Sequence, residues 1–320
     1  MLDPPLSFDT RTVERVPQRN LELEAAAFAN FDDLDSWRVF ADWLLSKGDS
    51  RGEIASLAAH LGEAFLSERK RMAARIAELE RPYIDGWHQW AQGRDLLDVE
   101  VEFKRGFAHA IEGSLTQMQP VIDELFERDP IQRLTLTEVE PDTLARLFER
   151  DPEWLGRLRY LKLSGTIDET AAAAMAGVEL PQLRRLNLLG MGMDVEVCGQ
   201  LAGLRTQVLE RLTLTANEID DEGLAALLGS PTRGQWRELY LSGNPLEAGG
   251  LARLVADREL RLTGLYACDI GANLGEFAPL ADRSAIPTLT HLEAPNWGSW
   301  QHQAVLEQLR ERFGAGLVLR

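Results

Sequence analysis

The chain has 320 residues, 45% of them hydrophobic and 27% charged, which suits two ordinary domains or one elongated repeat domain and sets it apart from disordered chains. Its 51 acidic residues against 34 basic leave a formal net charge of −17, a field that disfavours nucleic acid and anionic membrane surfaces as general partners. Only two cysteines occur, Cys198 and Cys268, at different positions of the repeat described below; this predicts a reduced, cytoplasmic protein with one thiol in the core and one free at the surface.

Residues 1–20 read as an N-terminal tail. "MLDPPLSFDTRTVERV" has two prolines, Asp3 and no apolar core, so no secretory signal is expected, and no apolar run is long enough to predict a membrane span. Residues 21–97 read as a small all-α domain. In "DSWRVFADWLLSKGD" the residues Trp37, Val39, Phe40, Trp43 and Leu44 recur at helical spacing, and Gly48 after Lys47 is a helix stop. A second helix is predicted from about Arg51 through Ile54, Leu57, Leu61 and Phe65. A third runs through "RKRMAARIAELE", and "YIDGWHQWAQ" adds two tryptophans.

From residue 98 to 320 the chain repeats itself. The middle leucine of an L-x-x-L-x-L rhythm recurs as Leu134, Leu161, Leu186, Leu212, Leu239, Leu265, Leu292 and Leu317, at intervals of 25 to 27 residues. Phe107, 27 residues before Leu134, marks a degenerate first unit starting near Val99. Within each unit the L-x-L core alternates at period two and predicts a short half-buried strand. A helix-period set follows it, as in Leu144/Leu147/Phe148, Ala171/Ala174/Met175, Leu224/Leu227/Leu228, Leu251/Leu254/Val255 and Val305/Leu306/Leu309. One such unit buries too few leucines to offset the entropy of ordering its backbone, so the units must stack. The prediction is an α/β solenoid of about eight repeats, with a curved parallel sheet inside and helices outside.

"LERLTLTANEIDDEGLAALL" resembles the leucine-rich repeat of the ribonuclease-inhibitor-like class, L-x-x-L-x-L-x-x-N-x-I-x-x-x-G-x-x-x-L. Asn217 and Asn244 fill the asparagine position, whereas Thr166, Met191, Ile270 and Trp297 stand there in other units. "ADWLLSKGDSRGEI" resembles the repeat-companion domain, a helical module found ahead of leucine-rich repeats in bacteria. The matching letters are Ala41-Asp42-Trp43-Leu44, Gly48-Asp49 and Arg51-Gly52-Glu53. That resemblance implies an architecture, a helical domain capping the N-terminal end of the repeats, and no activity.

Motifs that carry chemistry are weak. "LLGMGMD" (188–194) lies between strand and helix, but Val195 stands where a dinucleotide fingerprint needs its third glycine, so it reads as a turn. Asp220, Asp221 and Glu222 crowd together, as in a calcium loop, but acids at a helix start are stabilised by the helix dipole. The five histidines lack metal-ligand spacing, and G-x-S-x-G and P-loop patterns are missing. No enzyme, metal, cofactor or small-molecule substrate is predicted.

What remains is the outward face of the strands. The neighbours of each middle leucine include Arg133, Tyr160, Lys162, Arg185, Asn187, Arg211, Tyr240, Tyr266, His291 and Glu293. Arg133, Lys162, Arg185 and Arg211 are expected to form a basic row, with aromatic and acidic residues in later units. Arginine and tyrosine are favoured interface anchors. The expected function is therefore a non-enzymatic scaffold that grips a protein partner, offering an acidic or mixed polar segment, on its concave face. The alternative is an accessory subunit or regulated substrate of a neighbouring enzyme in bacterial stress or defence signalling, contacted through the helical domain.

Overall fold

The computed structural model describes residues 19–29, 33–62, 64–96, 98–297 and 299–320, so nearly all of the proposed tail lies outside the described residues. The chain is an α/β protein with an N-terminal helical region and a largely parallel ten-stranded sheet. It forms two compact units, Met1–Asp85 and Gly86–Arg320.

The first unit holds α1 (Leu21–Ala29), α2 (Leu34–Ser46), α3 (Arg51–His60) and most of α4 (Leu66–Gln92). Asp33 caps α2, its carboxylate accepting from the Asp35 N–H and the Ser36 hydroxyl. Trp37, Phe40 and Leu44 of α2 are buried with Ala27 of α1 and Ile54 and Ala55 of α3. Gly52 lets α2 and α3 close on each other: a Cβ there would stand 2.5 Å from the Ala41 carbonyl. The loop between them is tied by polar groups. Asp49 accepts from Arg51 and, at 3.0 Å, from the Tyr83 hydroxyl, while Ser50 and Tyr83 share a 2.8 Å hydrogen bond. The pairing holds the Asp49 carboxyl below its ordinary range although burial pushes it the other way.

Three sequence expectations change here. Val39 is 55% exposed, because its position falls off the stripe set by Trp37, Phe40 and Leu44. The helix from Arg51 ends at His60, which leaves Phe65 outside it and 82% exposed. The two segments expected after it are one 27-residue helix, α4, continuous through Pro82. The unit boundary falls inside that helix, and Trp87 and Ala91 belong to the core of the sheet unit.

The sheet unit begins with the end of α4 and an antiparallel hairpin, β1 (Glu100–Lys104) and β2 (Phe107–Ser114), turning at Arg105 and Gly106, both with positive φ. Then follow α5 (Leu115–Met118), α6 (Ile122–Arg128), β3 (Arg133–Val139), α7 (Pro141–Glu149), β4 (Tyr160–Gly165) and α8 (Glu169–Gly177). The middle holds β5 (Glu179–Leu180), β6 (Arg185–Asn187), α9 (Val195–Leu201), β7 (Arg205–Thr206), β8 (Arg211–Thr213) and α10 (Asp221–Leu228). The chain continues through β9 (Glu238–Tyr240), α11 (Ala248–Ala256), β10 (Gly264–Tyr266), β11 (His291–Ala294), α12 (Gln303–Phe313) and β12 (Leu317–Leu319). Strand order in the large sheet is β1-β2-β3-β4-β6-β8-β9-β10-β11-β12, parallel from β2 onward; β5 and β7 pair apart from it. Between β10 and β11 the helix is 3-10 in form over Leu274–Ala281, with Pro279 inside it.

The repeat marks the register. Leu134, Leu161, Leu186, Leu212, Leu239, Leu265, Leu292 and Leu317 are partners from strand to strand. Upstream of Leu134 the partner is Ile111, not Phe107: the Arg105–Gly106 turn folds this segment into a hairpin, so the first unit is not a parallel strand–helix pair. The leucines join the buried helix faces, including Leu144, Leu147 and Phe148, in one core cluster reaching from Trp87 to Phe313.

Two local devices recur along the sheet. Ahead of β4, β6, β8, β9, β10 and β11, one carbonyl accepts two successive N–H groups of the next unit, as Gln132 does from Arg159 and Tyr160 and Arg184 does from Glu210 and Arg211. Behind two of the strands, buried asparagines close the turns. The Asn217 carbonyl oxygen accepts from Met191 and Met193 at 2.8 and 3.2 Å, and its amide donates to the Leu188 and Leu214 carbonyls. Asn244 does the same for Ile219, Leu214 and Leu241. The "LLGMGMD" stretch is thus a turn with Met191 and Met193 in the core and Gly190 and Gly192 at positive φ. Asp220 caps α10 by accepting from the Gly223 N–H at 2.8 Å.

Both cysteines are buried, so the expected surface thiol at Cys268 or Cys198 is not found. Burial is the main force pushing the Cys198 thiol up to about 12 and that of Cys268 up to about 11. Among the described residues no helix is long and apolar enough to cross a membrane.

Candidate functional site

Alternation along each strand sends the leucines into the core and their neighbours to the opposite, open face of the sheet. Two rows result. One runs Arg133, Tyr160, Arg185, Arg211, Glu238, Gly264 and His291; the other runs Thr135, Lys162, Asn187, Thr213, Tyr240, Tyr266 and Glu293. The expected basic row is therefore corrected. Arg133, Arg185 and Arg211 share a row with Tyr160 between them, and Lys162 stands in the other row because it follows its leucine instead of preceding it.

The four cations also differ in what holds them. Arg133 bonds Glu102 of β1 at 3.0 Å and lies over the Tyr160 ring, 5.3 Å from its centroid. Arg211 bonds Glu238 of the next strand at 2.5 Å and lies 5.7 Å from the Tyr240 centroid. Burial would raise the Glu238 carboxyl, but hydrogen bonds from Arg211 and Tyr240 outweigh it and hold the group below its ordinary range. Burial opposes the Arg211 charge too, and the bond to Glu238 outweighs it. Lys162 and Arg185 make no hydrogen bond or ion pair among the described residues, although the Arg185 charge also helps hold the Glu238 carboxyl down. Two cations, not four, remain free to meet another molecule.

Toward the C-terminal strands the face turns aromatic. Tyr240 and Tyr266 stack in parallel, centroids 3.9 Å apart at 3°, and His291 follows 5.0 Å from Tyr266. Gly264 makes this possible: a Cβ there would stand 3.0 Å from Tyr266 Cε2, so the ring lies over the bare backbone. The Tyr240 hydroxyl donates to Glu238 at 2.9 Å, and burial first, then its bonds to Tyr266 and Glu238, push its phenol well above the ordinary value. Glu293 is only 8% exposed and pairs with Arg320, so it is not the outward contact that was expected. Asn187 turns back on its own chain, its carbonyl oxygen accepting from the Leu189 N–H at 3.1 Å.

The acids of β1 were missed by the repeat reading. Glu100 and Glu102 alternate with Val101 and Phe103 ahead of Arg105-Gly106, a strand-and-turn signal that the period of 25 to 27 residues hid. Among the described residues no group of three or more His, Cys, Asp or Glu side chains is arranged to hold a metal ion. No protein-family model and no curated protein matches this chain.

Proposed function

We propose that the sheet unit is a solenoid of the leucine-rich-repeat type, and that the protein is a non-enzymatic, cytoplasmic binding module that grips a protein partner on the open face of its sheet. The observation that carries this reading is the pair of cations without a hydrogen bond or ion pair, Lys162 and Arg185, on the same sheet face as a parallel aromatic stack. A cation without a partner costs nothing to leave in water and gains most when a carboxylate of another molecule reaches it. Tyrosines already stacked lose little freedom on binding. Affinity capture with the wild-type chain and with Lys162→Glu/Arg185→Glu tests it. The double reversal should abolish capture at low salt and remove the salt dependence of what remains; equal capture by both chains refutes the reading.

A second reading is favoured by the helical unit, which resembles the repeat-companion domain. There Leu21, Val39, Leu45, Phe65 and Leu66 are exposed, with Phe65 at 82%. In this reading the chain is an accessory subunit or regulated substrate of a bacterial enzyme that docks on the helices. Phe65→Asp would then abolish capture while Lys162→Glu/Arg185→Glu leaves it intact.

A further inference from the structure

At the N-terminal end of the open face a pocket of about 170 Å³ lies against β1 to β4, lined by Glu100, Glu102, Glu112, Arg133, Thr135 and Tyr160 among others. Its charge is the opposite of the strip beside it. Glu100 and Glu112 are register partners across the hairpin, and carboxylates placed directly opposite on one face repel. Neither has a hydrogen-bond or ion-pair partner from its side chain among the described residues. Arg133, the guanidinium that lines the pocket, is already held by Glu102. A separate observation points into the same space: Thr135, 8% exposed, lines the pocket with a hydroxyl that makes no hydrogen bond among the described residues. A donor entering the pocket gives that hydroxyl a protein-side partner in place of water.

We propose that this pocket takes the lysine or arginine side chain of the same partner segment whose carboxylate meets Lys162 and Arg185, so that the face reads a segment in the order basic, acidic, aromatic. This rests on the protein-binding reading above and specifies its partner. An ammonium or guanidinium satisfies Glu100 and Glu112 together and donates to Thr135. Spacing follows from the strands. With neighbours about 4.8 Å apart, Glu112 on β2 is about 10–14 Å from the cations on β4 and β6, which an extended chain covers in about three to four residues. The step from Arg185 to the rings on β9 and β10 is again about 10–14 Å. The net charge of −17 does not describe this face: its N-terminal end selects a cation, its middle an anion, and its far part a flat ring.

The test is selection from a phage-displayed library of random dodecapeptides on the full chain, on Glu112→Lys and on Lys162→Glu/Arg185→Glu, each variant first checked by thermal melting. On the wild type, selected peptides should carry Lys or Arg about three to four positions from Asp or Glu, with an aromatic residue beyond the acid, in either chain direction, enriched about five-fold or more over peptides in which the basic residue stands between the acid and the aromatic. On Glu112→Lys the basic position should lose its enrichment and the acidic position keep it; if that variant does not fold, Glu112→Gln makes the same comparison. Purely acidic peptides, unchanged on the Glu112 variant, overturn the pocket assignment while the binding face stands. No enrichment, or a selection indifferent to the Lys162/Arg185 reversal, overturns both.

Discussion

The open face of the sheet falls into two parts that meet at β8. From β8 onward its charged and aromatic groups are tied to one another: Arg211 to Glu238, Glu238 to Tyr240, Tyr240 to Tyr266 and His291, Glu293 to Arg320. On β4 and β6 the cations Lys162 and Arg185 make no hydrogen bond or ion pair among the described residues, and only the charge of Arg185 reaches across to Glu238. Beneath both parts the same leucines pair in the same register. From β4 to β10 the strand register is the same, and the outward groups of these strands differ in whether they have been used. A residue already spent on its neighbour stiffens the wall, whereas an unspent one is available to a partner.

The largest expected effect tests the part of the comparison that says the two regions share one core. Leu186→Ala beneath the free cations and Leu239→Ala beneath the aromatic stack remove side chains that are 1% and 0% exposed. Each should cost about 2–5 kcal/mol in chemical denaturation, because the deleted methyl groups leave a cavity that packed neighbours fill poorly. Both losses should fall in that range, differing only as far as each site can collapse on its cavity. A large loss at one and almost none at the other would show that the units are not equivalent inside.

How much of this was legible in the sequence depends on which physical rule wrote each letter. The middle leucines were legible because burial at a strict period leaves no alternative, and all eight fall in register. Asn217 and Asn244 were legible as deviations that recur, and each satisfies backbone groups that no water reaches. Phe107 misled because its spacing matched the period while Arg105 and Gly106 wrote a tighter local instruction, a hairpin turn. The candidate site was less legible. Alternation showed which side chains point outward, yet Arg211 meets Glu238 from 27 residues away and Arg133 meets Glu102 from 31. Pairing across strands depends on register and on rotamers, which a list of outward letters does not contain. The expectation of one surface thiol failed for a related reason: Cys268 has outward parity, but it is buried beside Glu293 and Ser242 of the flanking units.

A smaller effect tests the tied part directly. The Glu238 carboxyl lies below its ordinary value near 4.5 because the bonds from Arg211 and Tyr240 outweigh burial. A depressed folded-state pKa adds stability that is fully present above the unfolded value and is lost as pH falls through the folded one. Wild type should therefore exceed Glu238→Gln in melting temperature at pH 7, and the two should converge as pH drops below about 4. With Glu238 and Arg211 at 28% and 36% side-chain exposure, screening keeps the difference below about 1 kcal/mol. A gap that stays constant down to pH 3 would mean that shape, and not the ion pair, distinguishes the variant.

The smallest effect is the most telling for function. Lys162→Ala and Arg185→Ala remove side chains that hold no partner in the fold, and substitutions of that kind usually fall within about ±0.5 kcal/mol. Arg211→Ala should cost more than either, since it strands Glu238 in a half-buried setting without its counter-charge. Denaturation curves for the three variants decide the matter. If Lys162 and Arg185 prove as costly as Arg211, they are serving the fold through contacts of their own, and the division at β8 disappears. If they are silent in folding, the sheet carries two cations that do not serve its own stability. That silence is what the binding reading expects of them, and the capture experiment with the double reversal then decides between a partner and plain solvation.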